Sequence, residues 1–227
     1  MCEEAYALSE NITFAIRLRF KKENEARFLS HLDLNRIFSR ALRRTGLPIW
    51  YTEGFNPHPY LYFGPPLSLG FWGLREILDV TLIENVAPVK VKEVLKELLP
   101  VGLSVSEVYE KEQKISKIAF SSYDISFTEK KTDAELIRDY LSRGEIIVKK
   151  TTKRGERDVN ITGLIKSWDI KGSDGCLLQL KAVSDGQNNL NPMLLVSAMK
   201  RDAIIEEDAR ANITRTDFYD IAENIFI

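Results

Sequence analysis

Two cysteines and two histidines in 227 residues leave little material for disulfide or metal chemistry. Neither Cys2 nor Cys176 belongs to a CxxC spacing, so no structural disulfide is expected and a reducing compartment fits. Taken with His31 and His58, they show none of the short paired spacings of a structural zinc site. GxGxxG and the Walker A pattern are also missing, which removes the sequence case for a dinucleotide or nucleoside triphosphate site. No metal or cofactor is therefore expected. No run of about 18 apolar residues occurs, and the opening MCEEAYALSENITF lacks both the basic and the long apolar regions of a signal peptide. The expectation is a cytoplasmic protein with no membrane partner. Net charge is −1, so any affinity for nucleic acid has to come from a local basic patch.

What is present describes an ordinary globular chain, with 44% hydrophobic and 29% charged residues, enough to bury one large core or two small ones. Ile12, Phe14, Ile16, Leu18 and Phe20 alternate with Thr13, Ala15, Arg17 and Arg19, the period-two pattern of a half-buried strand. Ser30 then precedes Leu34, Ile37, Phe38, Ala41 and Leu42 at helical spacing, with Gly46 as a stop, giving a helix over residues 31–45. Short extended pieces follow at Pro48 to Thr52 and Tyr60 to Phe63, separated by the turn-rich segment from Glu53 to Pro59. A strand from Glu76 to Leu82 comes next. Pro88 opens a helix with the apolar stripe Val91, Val94, Leu95, Leu98 and Leu99, and Leu103, Val105 and Val108 suggest a closing strand. The order is β-α-β-β-α-β, the split βαβ or ferredoxin-like arrangement.

The polar stretch Glu110 to Lys114 reads as a linker. Beyond it the order repeats less clearly. A strand near Ile118 to Phe127 precedes a helix from Asp133 to Ser142 and a strand from Glu145 to Thr151. Asp158 to Trp168 is ambiguous, and Gly175 leads into a strand from Cys176 to Val183. A helix opens at Asn191-Pro192, and a last strand covers Ile213 to Thr216. The expected class is α+β, with tandem ferredoxin-like halves, each with an antiparallel sheet, over residues 1–110 and 115–227.

The candidate working surface lies in the first half. Arg36, Arg40, Arg43 and Arg44 are spaced to share one side of the first helix. Residues 27 to 44 hold five arginines, the fifth being Arg27, and one aspartate, a local charge of +4. Guanidinium offers forked donors to phosphate oxygens, so the row suits RNA backbone, although for the row alone a solvated face with ion pairs to acidic strand residues is the favoured reading. Trp50, Tyr51, Phe55, Tyr60 and Tyr62 could stack on bases if exposed, and otherwise belong to the core. His58, bracketed by Pro57 and Pro59 and preceded by Asn56, sits in a stiff loop that suits binding. His31 and Asp33, two residues apart at a helix start, could do acid-base chemistry or simply cap the helix.

The residues RFLSHLDL at Arg27 to Leu34, RALRR at Arg40 to Arg44, GLP at Gly46 to Pro48, GFNPHP at Gly54 to Pro59 and PLSLG at Pro66 to Gly70 resemble the radical-SAM-linked protein family. That family is found beside, or fused to, cobalamin-binding-type radical SAM proteins. The close matches span residues 27–80, with only Arg157-Asp158-Val159 familiar further on. The resemblance implies a radical SAM partner and no established reaction for the domain. A radical SAM cluster needs three closely spaced cysteines, and this chain has two cysteines in all. The resulting expectation is an accessory or substrate-presenting protein for a radical SAM enzyme acting on RNA. Arg27, His31, Arg36, Arg40, Arg43, Arg44, Phe55, Asn56 and His58 form its contact surface. Two alternatives stay open. One is a metal-independent RNA-cleaving enzyme of the repeat-associated (RAMP) type, using His31 with Arg36 or Arg40, and the other is a pure protein-protein module.

Overall fold

The computed structural model describes residues 13–128, 133–152, 155–172, 176–186 and 188–227; Cys2, Ile12 and Gly175 lie outside them. The first half runs β1 (Phe14–Lys22), α1 (His31–Arg44), β2 (Leu61–Phe63), β3 (Trp72–Leu82), α2 (Pro88–Lys96) and β4 (Leu103–Glu110). The second runs β5 (Phe120–Phe127), α3 (Ala134–Leu141), the hairpin β6 (Ile147–Thr152) and β7 (Gly155–Asn160), β8 (Ile165–Lys171), β9 (Leu177–Val183), α4 (Pro192–Arg201) and β10 (Ala211–Tyr219). Local chemistry accounts for the helix boundaries. Ser30 and Asp33 close a capping box at α1, and Gly46, at φ +68°, takes the left-handed conformation just past its end. Asn191 caps α4, with Pro192 at the first helical position.

The class is α+β with a mostly antiparallel sheet. Separate sheets for the two halves do not form: β4-β1-β3 and β10-β5-β9-β8 join through a parallel pairing of β3 with β10, limited to Trp72 with Thr214 and Gly73 with Arg215. β2 pairs with the far end of β3, on Leu78 to Val80. The stretch Pro48 to Thr52 forms no strand and contributes only isolated bridges, Ile49 to Leu82 and Tyr51 to Pro59. The expected linker is not a free tether either. Lys111 N donates to Ala15 O at 2.9 Å, and Gln113 O accepts from Arg17 at 2.6 Å, so residues 111–118 lie as a strap over the sheet.

One core gathers Ile16, Leu18 and Phe20 of β1, Leu78, Val80 and Leu82 of β3, and Leu34, Phe38, Ala41 and Leu42 of α1. A second gathers β5, β9, α3 and α4, and the loop after β2 reaches into it with Phe71. The face of β1 turned away from α1 contradicts the reading of a half-buried strand. Arg17 and Arg19 are fully buried, because the strap and the segment carrying Phe226 and Ile227 cover them. Burying a charge is tolerated only with partners. Arg17 donates to both carboxylate oxygens of Asp79, at 2.7 and 3.0 Å. Arg19 meets Asp217 at 3.0 Å, the Tyr109 hydroxyl at 3.0 Å and Phe226 O. Arg215 grips Glu76 through two bonds and donates to Pro65 O at 2.7 Å. Gly73 makes room for this last pair, since a Cβ there would stand 2.6 Å from the Glu76 side chain. Lys22, also fully buried, has no hydrogen-bond partner for Nζ among the described residues, and burial holds its pKa below the usual value against the opposing pull of Glu76.

Candidate functional site

α1 turns Leu34, Phe38, Ala41 and Leu42 inward, which leaves Arg36, Arg40, Arg43 and Arg44 exposed on the other side. The acidic strand residues do not neutralise this row. Glu76 and Asp79 are buried and taken by Arg215 and Arg17, and among the described residues Arg36 has only an exposed approach to Asp33 at 3.8 Å. An exposed pair of that length is worth about 0–1 kcal/mol, so the row remains available to a ligand.

The GFNPHP loop stands at the C-terminal end of the helix. Thr52 N donates to His58 O at 2.9 Å, and His58 N donates to Thr52 Oγ1 at 3.3 Å. The His58 ring turns back on the loop, with Nδ1 3.0 Å from Asn56 O and 3.1 Å from Thr52 Oγ1. Arg43 Nη2 reaches Pro57 O at 3.3 Å and fastens loop to helix. The result is a closed, internally bonded loop with Asn56 exposed and Phe55 at the tip, its ring wholly in solvent at 105% relative exposure. His58 thus shapes the loop.

His31 stands elsewhere. It is the first residue of α1, exposed, with its ring edge-on to Phe63 at 5.2 Å. The 1.5 Å rise per residue puts Arg44 about 20 Å further along the axis, and Arg40 lies about half a turn around from His31. Asp33 does not serve His31. Its carboxylate is held by Ser30 Oγ at 2.6 Å and Ser30 N at 3.1 Å, and the Ser30 hydroxyl chiefly lowers its pKa. A cleaving centre built from His31 with Arg40 therefore lacks the required convergence. Arg27 is separate too, half-buried with its guanidinium over Trp72 at 4.2 Å and Phe28 at 4.6 Å. Gly70 N donates to Arg27 O at 2.9 Å, and Phe28, Leu32 and Leu69, for which the sequence suggested no role, are exposed apolar side chains. Among the described residues, no three of His, Cys, Asp and Glu converge as metal ligands would, and no helix is long and apolar enough to cross a membrane.

Residues 15–192, from β1 to the start of α4, match the family described as an uncharacterized protein conserved in bacteria (DUF2344). The chain belongs to this family. The DUF2344 match contains the whole arginine row, the GFNPHP loop and His31. No curated protein matches the chain. A crystal structure of an unknown protein from Galdieria sulphuraria is similar at 9% identity and a TM-score of 0.27, over 90% of this chain and 99% of that one.

Proposed function

We propose that this DUF2344 protein is a cytoplasmic accessory protein that presents an RNA substrate to a radical SAM enzyme, without a cofactor of its own. Its working surface is the α1 arginine row together with the GFNPHP loop. The radical SAM partnership rests on the resemblance carried by RFLSHLDL and GFNPHP. The observation that favours a binding surface is Phe55, a large apolar ring held fully in solvent at the tip of a loop that its own hydrogen bonds keep closed, fastened through Arg43 to four exposed arginines. A preformed loop loses little entropy on binding, and arginine beside an exposed aromatic ring suits both RNA stacking and interface hot spots.

The same reading takes the chain as two ferredoxin-like units, residues 1–110 and 115–227. The pairings β4-β1-β3-β2 and β10-β5-β9-β8 support it, since each has the order 4-1-3-2 once β6 and β7 are set aside. The test is co-purification from the native host with wild type, Phe55→Ala, and a double variant Arg40→Glu with Arg44→Glu. The wild type should bring down a radical SAM enzyme and RNA. The double variant should lose RNA across sequences with a flatter salt dependence, because fewer counterions are released on binding. Phe55→Ala should weaken capture by about tenfold. Neither partner with the wild type, or the same capture by all three proteins, refutes the proposal.

A further inference from the structure

The sheet face opposite α1 carries a trough that the arginine row does not reach. β2 and the residue before it alternate: Leu61 and Phe63 pack into the α1 core, while Tyr60 and Tyr62 turn the other way, 45% and 51% exposed. Tyr62 stands opposite Asp79 in the β2–β3 register, on the side where Arg17 meets that carboxylate. The two tyrosines form one wall of a cavity of about 200 Å³, with Asp79 and Thr81 as floor and Lys111 and Lys114 of the strap on the far side. Tyr62, Ile115 and Ser116 are shared with a second cavity of about 290 Å³, whose other end is walled by Ser184, Asp185 and Asn189. The two cavities adjoin along these shared residues and together make up the trough.

Its charge is positive at the tyrosine end. Asp79 is matched twice, by Arg17 and by Lys111 Nζ at 3.2 Å. Lys114 is exposed and makes no ion pair among the described residues. The opposite end offers side-chain amide, hydroxyl and carboxylate groups of the kind that read base edges. Residues two apart on an extended strand have Cα atoms about 6.6 Å apart, room for one flat ring between their side chains at the roughly 3.4 Å of base stacking.

We infer that this trough holds a short single-stranded RNA segment, with a base at Tyr60 and Tyr62, phosphates at Lys111 and Lys114, and a neighbouring base edge at Ser184 and Asn189. The inference deepens the RNA half of the proposed function and rests on it.

The test uses the full chain and a fluorescein-labelled uridine tetranucleotide, followed by anisotropy. Tyr60→Ala and Tyr62→Ala should each weaken binding by about tenfold, and Tyr62→Phe, which keeps the ring, should bind within about twofold of wild type. Lys114→Glu should weaken binding and flatten its salt dependence. In the background of Arg40→Glu with Arg44→Glu, the tetranucleotide binding that remains should show the same roughly tenfold loss on Tyr62→Ala, which separates the trough from the α1 surface. Thermal melts equal to wild type establish that the half-exposed tyrosine variants are folded. Wild type that binds no tetranucleotide, or folded tyrosine variants that bind as wild type does, overturn the trough. Loss confined to the α1 double variant also overturns it while leaving the arginine row as the RNA surface; intact trough binding with no host partner captured sinks the α1 reading alone.

Discussion

The arginines of β1 and β10 and those of α1 carry the same guanidinium group in opposite settings. Arg17, Arg19 and Arg215 are at most 2% exposed, and each is bonded to a carboxylate and to backbone carbonyls. Arg36, Arg40, Arg43 and Arg44 are exposed, with one long ion pair and one loop contact between them among the described residues. The first group is spent on structure. Arg19 of the first half reaches Asp217 of the second, and Arg215 of the second reaches Glu76 of the first. Those pairs straddle a strand junction only two residue pairs long, so charge fixes a geometry that the β3–β10 ladder alone leaves thinly specified. The second group leaves its donors in water, where a ligand can take them at little desolvation cost.

The contrast makes graded predictions. Asp217→Ala should show the largest effect, because it strips a buried guanidinium of its carboxylate and also removes the Arg75 contact at 3.2 Å. Such a change costs about 3–5 kcal/mol and should appear as a large fall in the urea midpoint. Lys22→Met should move stability the other way. Nζ is buried with no hydrogen-bond partner among the described residues, so replacing it with a thioether chain of similar length should gain about 1–3 kcal/mol at pH 7. The pH profile sharpens this. Burial lowers the folded-state pKa of Lys22, so below the unfolded value of about 10.4 the unfolded chain binds a proton that the folded chain does not. Wild type should lose stability as pH falls from that value toward the lowered pKa, and Lys22→Met should remove that slope. The smallest effect belongs to the exposed group. Arg40→Glu with Arg44→Glu should leave the unfolding free energy within about 0.5 kcal/mol of wild type. A large loss there would show that the row is structural after all.

Elements whose determinants are local were legible in the sequence. Ser30 and Asp33 start α1, Gly46 ends it, Pro88 opens α2 and Asn191-Pro192 opens α4, all chemistry confined to a single turn. The alternation in β1 was legible too, but its meaning was not. Period two separates two faces without saying what covers each, and Arg17 and Arg19 are covered by residues 111–118 and the end of the chain, which have no periodicity to announce them. The parallel contact of β3 with β10 depends on segments about 140 positions apart, beyond any local pattern. In the candidate site, the exposed arginine row followed from helical spacing, and the stiffness of the GFNPHP loop followed from its prolines. The separation of His31 from that loop did not, because neighbours in one motif sit at opposite ends of a helix. Tyr60 and Tyr62 carried the signal for the trough in their alternation with Leu61 and Phe63, but the strap that completes it left no mark.

The covering of β1 has a consequence in time. Arg19 leaves the ribosome 198 residues ahead of Asp217 and 207 ahead of Phe226. At about 5–20 residues per second, that is a wait of roughly ten to forty seconds. During it α1 and α2 can settle on their side of β1 while the arginine side stays hydrated and open. The nascent first half is thus a sheet with one finished face, and chaperones or a premature pairing strand have access to the other until β10 arrives.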